Sequence, residues 1–147
     1  MTAKEYLRQV RKLDISIEQL EERHAEIWTE LTRITVAPDK EHVDGGATST
    51  RKESLLDALT ELDDRIEQQR FEALQTRATI QRQVLALKDP LHVWILGSLY
   101  LDWKENREIE MLADRAPFYY SRGYIYQKHG EALQAFAELL KHSKIEI

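Results

Sequence analysis

The chain contains no cysteine, only three prolines and only five glycines in 147 residues. Without cysteine there are no disulfides, no thiolate nucleophile and no cysteine-held zinc, a usage suited to a reducing compartment. So few helix breakers leave long stretches free to run as uninterrupted helix. No apolar run approaches the ~20 residues that cross a bilayer, and the first residues lack the basic-then-apolar layout of a signal peptide. These absences predict a cytoplasmic protein with no membrane partner. Also missing are a glycine-rich phosphate loop, an H-E-x-x-H pattern and a nucleophile-base pairing signature, so neither catalysis nor a cofactor is expected. His42, His92 and His142 show no metal-ligand spacing, which predicts no metal site.

Positive charge is scarce as well: 21 Lys and Arg stand against 26 Asp and Glu, for a net charge of −5. Cutting the chain after Lys88 rescues no basic half, because residues 1–88 hold 14 basic and 17 acidic groups and residues 89–147 hold 7 and 9. Any contact with nucleic acid must therefore come from a local patch.

What the chain has in abundance is helical periodicity. Residues 3, 10, 17, 24 and 31 are Ala, Val, Ile, His and Leu, and residues 6, 13, 20, 27 and 34 are Tyr, Leu, Leu, Ile and Ile. A heptad sustained over this length predicts one long helix, begun by the capping-box spacing of Thr2 and Glu5 and ended near Ala37-Pro38. His24, the polar intruder, reads as a hydrogen-bonded edge residue of that seam or as a pH-sensitive register key. The segment APDKEHVDGGATST lacks periodicity and predicts an exposed loop. Thr50 and Glu53 repeat the capping-box spacing, and Leu59, Ile66, Ala73, Ile80 and Leu87 carry a second long helix to Lys88. The second seam of this helix decays into Gln69, Thr76 and Gln83. Such a seam packs one partner well and a second poorly, which predicts an antiparallel helical hairpin that self-associates through Val10, Leu13, Ile17, Leu20, His24, Ile27 and Leu31.

Asp89-Pro90 opens a third helix, with aspartate as cap and proline in its first turn. Its apolar members Leu91, Trp94, Ile95, Leu99 and Leu101 are expected on the two long helices, and Gly97 and Gly130 are expected to permit close helix approach. Another helical pattern, with Ile109, Leu112 and Ala113, stops at Ala116-Pro117. Ser121 then restarts a helix whose apolar positions are Ile125, Ala132, Leu133, Phe136 and Leu140. The fold class is thus all-α, with residues 1–88 forming the hairpin, its loop near 37–53, and residues 89–147 forming a helix-turn-helix module.

At the joint of that module the chain reverses its charge. RAPFYYSRGYIYQKHG, residues 115–130, holds four of six tyrosines, three basic residues and no acid. With Ile125 toward the core, Tyr120, Gly123, Tyr124 and Gln127 fall on the opposite face, flanked by Arg122, Tyr126 and Lys128. These side chains are placed to meet a DNA groove. The tyrosines at 119, 120, 124 and 126 could stack on sugars and bases, or equally pack at the edge of a small core. His129, beside Gly130, is expected to satisfy a backbone group. Glu105, Glu108, Glu110 and Asp114 crowd the preceding helix and are expected to repel non-specific duplex. Convergence of Arg115, Arg122 and Lys128 on one exposed face, with Lys104 or Arg107, favours DNA contact; acids interleaved among them favour a protein partner.

The opening MTAKEYLRQVRKLD, the helical hairpin with its polar loop, and the tail LADRAPFYYSRGYIYQKHGEALQAF resemble the ArpU/RinA-type transcriptional regulators of phages and prophages of Gram-positive hosts. Their C-terminal half is similar to the helix-turn-helix of sigma-factor region 4. The resemblance implies that Leu112-Ala113 sits in the supporting helix, that Tyr120-Ser121 begins the recognition helix, and that His129-Gly130 with Ala132-Leu133 locks it to the core. It also implies double-stranded DNA and host RNA polymerase as partners, in the host cytoplasm, with the probable sense of regulation being activation. The DNA-binding set is then Arg115, Tyr120, Ser121, Arg122, Tyr124, Gln127 and Lys128. Two alternatives share the layout: a non-catalytic helical adaptor, and a phage DNA-packaging component like a small terminase subunit.

Overall fold

The computed structural model describes residues 1–36, 45–106, 108–115 and 120–143, and every regular element among them is helical. The centre of the expected loop at 37–44, Arg107, the Ala116-Pro117 joint and Tyr119 lie outside the described residues. No described helix is long and apolar enough to cross a membrane.

Helix α1, Ala3–Leu7, starts on the predicted capping box: the Glu5 amide donates to Thr2 Oγ1 at 3.2 Å and the Thr2 amide to Glu5 Oε2 at 3.0 Å. Bonds from the Arg8 amide to the Lys4 carbonyl and from the Lys12 amide to the Arg8 carbonyl, both 3.0 Å, carry the helical path into α2, Gln9–Val36. Helix α2 is described as far as Val36, and Ala37-Pro38, where the proline was expected to end it, lies outside the described residues. Helix α3, Gly45–Leu85, differs from expectation at both ends. Thr50 is five residues inside it rather than its cap, so the loop is shorter than residues 37–53. Once a helix is nucleated each added residue gains a bond, and a Thr-x-x-Glu spacing is equally compatible with a helix interior. At the other end the Ala86 and Leu87 amides tighten onto the carbonyls of Gln83 and Val84 at 3.2 and 3.1 Å, closing the helix before Lys88.

Asp89 caps α4, Pro90–Leu96, accepting from the Leu91 amide at 2.9 Å, with Pro90 in the first turn where its missing N–H costs nothing. The helix then widens into a π turn, Gly97–Leu101, closed by the Asp102 amide on the Gly97 carbonyl at 2.9 Å. Arg77 of α3 donates to the Leu101 carbonyl at the end of this turn at 2.7 Å. The amide of buried Asn106 donates to the Ser98 carbonyl at 3.2 Å, and its oxygen accepts from Arg115 at 2.9 Å. Helix α5, Ile109–Arg115, and helix α6, Arg122–His142, complete the chain.

The chain divides into two compact units, residues 1–12 with 73–147, and residues 13–72. The division falls within α2 and α3 rather than after Lys88. The reason lies in the first unit's core, where Leu7, Val10, Ile80 and Val84 pack with Leu96, Tyr100, Trp103, Ala132, Phe136 and Leu140. A smaller cluster, Ile95, Leu112 and Ile125, sits under Leu91, Trp94 and Tyr120. It is thus Leu96 and Tyr100 that bring the third helix onto α1 and α3, while Ile95 turns toward α5 and α6. The expected close approach at Gly97 and Gly130 does not occur, since a Cβ at either would meet nothing within 4 Å.

The second unit is the antiparallel hairpin of α2 and α3. Ser16 donates to Gln69 at 2.7 Å, Arg70 pairs with Glu21 at 2.6 Å, His24 Nε2 lies 2.8 Å from Asp63, and Arg51 pairs with Glu30. Sequence positions rise on one helix as they fall on the other, as antiparallel packing requires. Leu59 and Ile66 of α3 are buried, whereas Leu13, Ile17, Leu20, His24, Ile27 and Leu31 of α2 are half-buried.

Candidate nucleic-acid interface

The face begins with a cap. Ser121 has extended backbone and accepts from the Tyr124 amide at 3.1 Å, which starts α6 where the sequence suggested. Four residues into the helix Ile125 is completely buried, so the opening turn is anchored from below. Arg122, Gly123, Tyr124 and Gln127 are exposed, as the helical period requires when Ile125 points inward. Tyr120 is half-buried and stacks on Tyr124, with ring centroids 4.9 Å apart and 21° between planes. Tyr120 thus takes the core-edge role weighed for these tyrosines, packing over the small cluster while its ring supports the exposed Tyr124.

Carboxylates interleave the remaining polar groups. Lys128 Nζ lies 3.0 Å from Glu131 Oε2 and 5.5 Å from the centre of the Tyr124 ring, and Gln127 Nε2 donates to Glu131 Oε1 at 3.4 Å. The bond to Glu131 raises the Lys128 pKa, and the bond from Lys128 lowers that of Glu131. On the neighbouring helix the Tyr126 hydroxyl donates to Glu110 in a short bond that raises the tyrosine and lowers the carboxyl. Arg122 adds a smaller pull on both. Arg115 points its guanidinium at Asn106, so it serves the joint between the π turn and α5. The first turn of α6 carries no acid. Ser121, Arg122, Tyr124 and the supporting Tyr120 therefore form an accessible group, with Gln127 and Lys128 one turn on, tied to Glu131.

Among the residues proposed for self-association, Val10 is buried in the core of its own unit at 1% exposure. It is not available to a partner. The other six line the α2 side of the hairpin seam.

His129 makes a contact different from the expected backbone one: its Nε2 lies 2.9 Å from the Tyr100 hydroxyl. Burial lowers the His129 pKa, assisted by Lys4 and Arg8, and burial pushes Tyr100 up to about 12. Both rings line a pocket of about 340 Å³ whose other wall is Lys4, Arg8 and Arg11. This pocket was missed from sequence. Its available signal was the spacing of three cations at i, i+4 and i+7 on one helix face.

Compared with family models, with curated proteins and with solved structures, the chain finds no match in any of the three.

Proposed function

We propose that the protein is a phage-type DNA-binding transcriptional regulator, an activator, that reads a promoter-proximal site through the opening turns of α6. The observation that carries this reading is the acid-free first turn of α6, anchored by buried Ile125 and exposing Arg122 and Tyr124 beside the Ser121 cap. A helix start held from below with polar and aromatic side chains projecting is the arrangement by which helix-turn-helix proteins enter the major groove. Arg122 and the backbone amides near Ser121 suit phosphate oxygens, and Gln127 suits a base edge once it leaves Glu131. Host RNA polymerase and a second copy of the chain are the partners this role calls for, because so small a basic patch gives a single module little affinity.

The test is titration of labelled duplexes, selected from a random pool, across a salt series. With Arg122, and Lys128 once it leaves Glu131, as the cationic set, each module neutralises about two phosphates, and log K against log salt should fall with a slope of roughly −2 per module. Arg122→Ala should weaken all duplexes, while Gln127→Ala should weaken selected sequences far more than random ones. Absence of binding at low salt, with or without polymerase, would sink the proposal.

The ties of Lys128 and Gln127 to Glu131, and of Tyr126 to Glu110, favour a second reading. In it the module is a packing unit of a non-catalytic helical adaptor, and its surface meets a protein. A packaging component like a small terminase subunit would instead assemble into rings in solution.

A further inference from the structure

A concavity in the unit formed by residues 1–12 and 73–147 lies along α6, with Tyr126 and His129 of that helix on its wall. Lys4, Arg8 and Arg11 project from one face of α1 and the start of α2, beside the side that buries Leu7 and Val10. Facing them are Tyr100 and Trp103 from the π turn and the residues after it, and His129 from the middle of α6. Among the described residues no Asp or Glu lines the pocket, in a chain with five more acids than bases. The nearest described carboxylate tie at its rim is that of Tyr126 to Glu110.

Three cations along one helix face repel one another, an arrangement a merely solvated surface has no reason to keep around a hollow. Their field reaches the opposite wall: Arg8 acts on both His129 and Tyr100, and Lys4 acts on His129. The guanidinium of Arg11 lies 5.1 Å from the centre of the Trp103 ring, and the ammonium of Lys104 lies 5.7 Å from it. The contact with Trp103 steadies the Arg11 side chain, so less of its freedom is lost when it closes on an anion. The Tyr100 hydroxyl and the His129 ring, already 2.9 Å apart, offer a neutral polar pair on the far side.

We propose that this pocket is a phosphate-binding site, in which Lys4, Arg8 and Arg11 hold the anionic oxygens and the Tyr100–His129 pair donates from the opposite wall. Its volume suits a phosphate or diphosphate group with part of the molecule that carries it. The group could belong to a small phosphorylated metabolite or to a nucleic-acid backbone, and the shared chemistry is the phosphate. The inference does not depend on the DNA-binding reading, since none of its three cations lies on α6.

The test is calorimetric titration of the full chain at low salt with inorganic pyrophosphate, with AMP and with adenosine. Pyrophosphate and AMP should bind at a single site and adenosine should not. Lys4→Gln combined with Arg8→Gln should weaken pyrophosphate by roughly tenfold or more, since charge-assisted bonds to phosphate are strong. Both residues are exposed, so folding should survive. Arg8→Lys should retain binding, and Lys52→Gln with Arg65→Gln, which removes the same charge from the hairpin, should leave it unchanged. Competition of a short duplex against pyrophosphate assigns the phosphate to a nucleic-acid backbone, and absence of competition assigns it to a small molecule. No pyrophosphate binding, or equal losses in the pocket and hairpin variants, would overturn the site.

Discussion

Val10 and Ile17 occupy the same heptad position of one helical path, yet Val10 is 1% exposed and Ile17 is only half-buried. The same contrast runs along α3, where Ile80 and Val84 are each 1% exposed and the hairpin's Leu59 and Ile66 keep 5% and 7%. The difference is not in the side chains. Around Val10 and Ile80 stand α4, the π turn and α6, so the seam is roofed by a third layer. In residues 13–72 two helices face each other alone, and a pair of cylinders encloses only the side chains nearest the contact line, such as Leu59 and Ile66, leaving those beside them half-buried. Large apolar groups on the outer faces, Trp28 at 57% and Leu56 at 50% exposure, are left in solvent. A periodic pattern therefore specifies which face turns inward but not how deep it goes.

The sharpest way to test this contrast is to empty a site in each unit. Phe136, fully buried, should lose about 3–5 kcal/mol on Phe136→Ala, read by urea unfolding. Ile17→Ala, already half in water, should cost roughly 1 kcal/mol. Equal costs would mean that the hairpin seam is roofed after all, by another copy of the chain. That copy is the subject of the next measurement: Ile17→Gln with Leu20→Gln should lower oligomer mass in sedimentation and thermal stability together. If the unaltered chain is a monomer at high micromolar concentration, self-association through the hairpin is excluded and the contrast stands for the isolated chain.

Two smaller effects probe the roofed unit. Gly130 lies inside α6, exposed, and an added Cβ meets nothing within 4 Å. Gly130→Ala should raise stability by about 0.5–1 kcal/mol in thermal unfolding, because glycine in a helix interior loses more chain entropy on folding. The smallest expected effect comes from His129, whose pKa burial lowers below its ordinary 6.5, with Lys4 and Arg8 adding to the shift. The unfolded chain takes up this proton at higher pH than the folded one. The stability from a neutral His129 is therefore complete above the unfolded pKa and is lost as pH falls through the folded one. Urea midpoints followed from about pH 8 to about pH 5 should fall less steeply in His129→Gln.

Much of the fold was legible because local chemistry and tertiary packing agreed. Thr2, Asp89-Pro90 and Ser121 all cap helices where their side chains predicted, and Ile125 and Phe136 face inward as their spacing required. The Thr50 start failed because capping-box residues recur within polar helices and only the neighbouring backbone decides whether they end one. Leu96 and Tyr100 were missed since a regular helical period, carried through Gly97, does not anticipate a wider turn. Within the candidate interface the exposed set Arg122, Tyr124 and Gln127 followed from periodicity. The ties to Glu131 and Glu110 involve side-chain rotamers and a neighbouring helix, about which spacing is silent. The pocket was hidden for a related reason: its basic wall and its aromatic wall are about ninety residues apart in the chain.

The π turn at Gly97–Leu101 amounts to a helix holding one residue more than its hydrogen bonds need. Substitutions there leave the backbone path unchanged, but a change of length does not. Deleting Ser98 would let the segment relax into ordinary α-helix with its bonding intact. Tyr100 and Trp103 would keep nearly the same faces, because a π turn spends five residues where an α turn spends four, but Asn106 would lose the Ser98 carbonyl it now bonds at 3.2 Å. The extra residue is thus a local bulge that leaves the flanking faces in register while it serves the Asn106 bond.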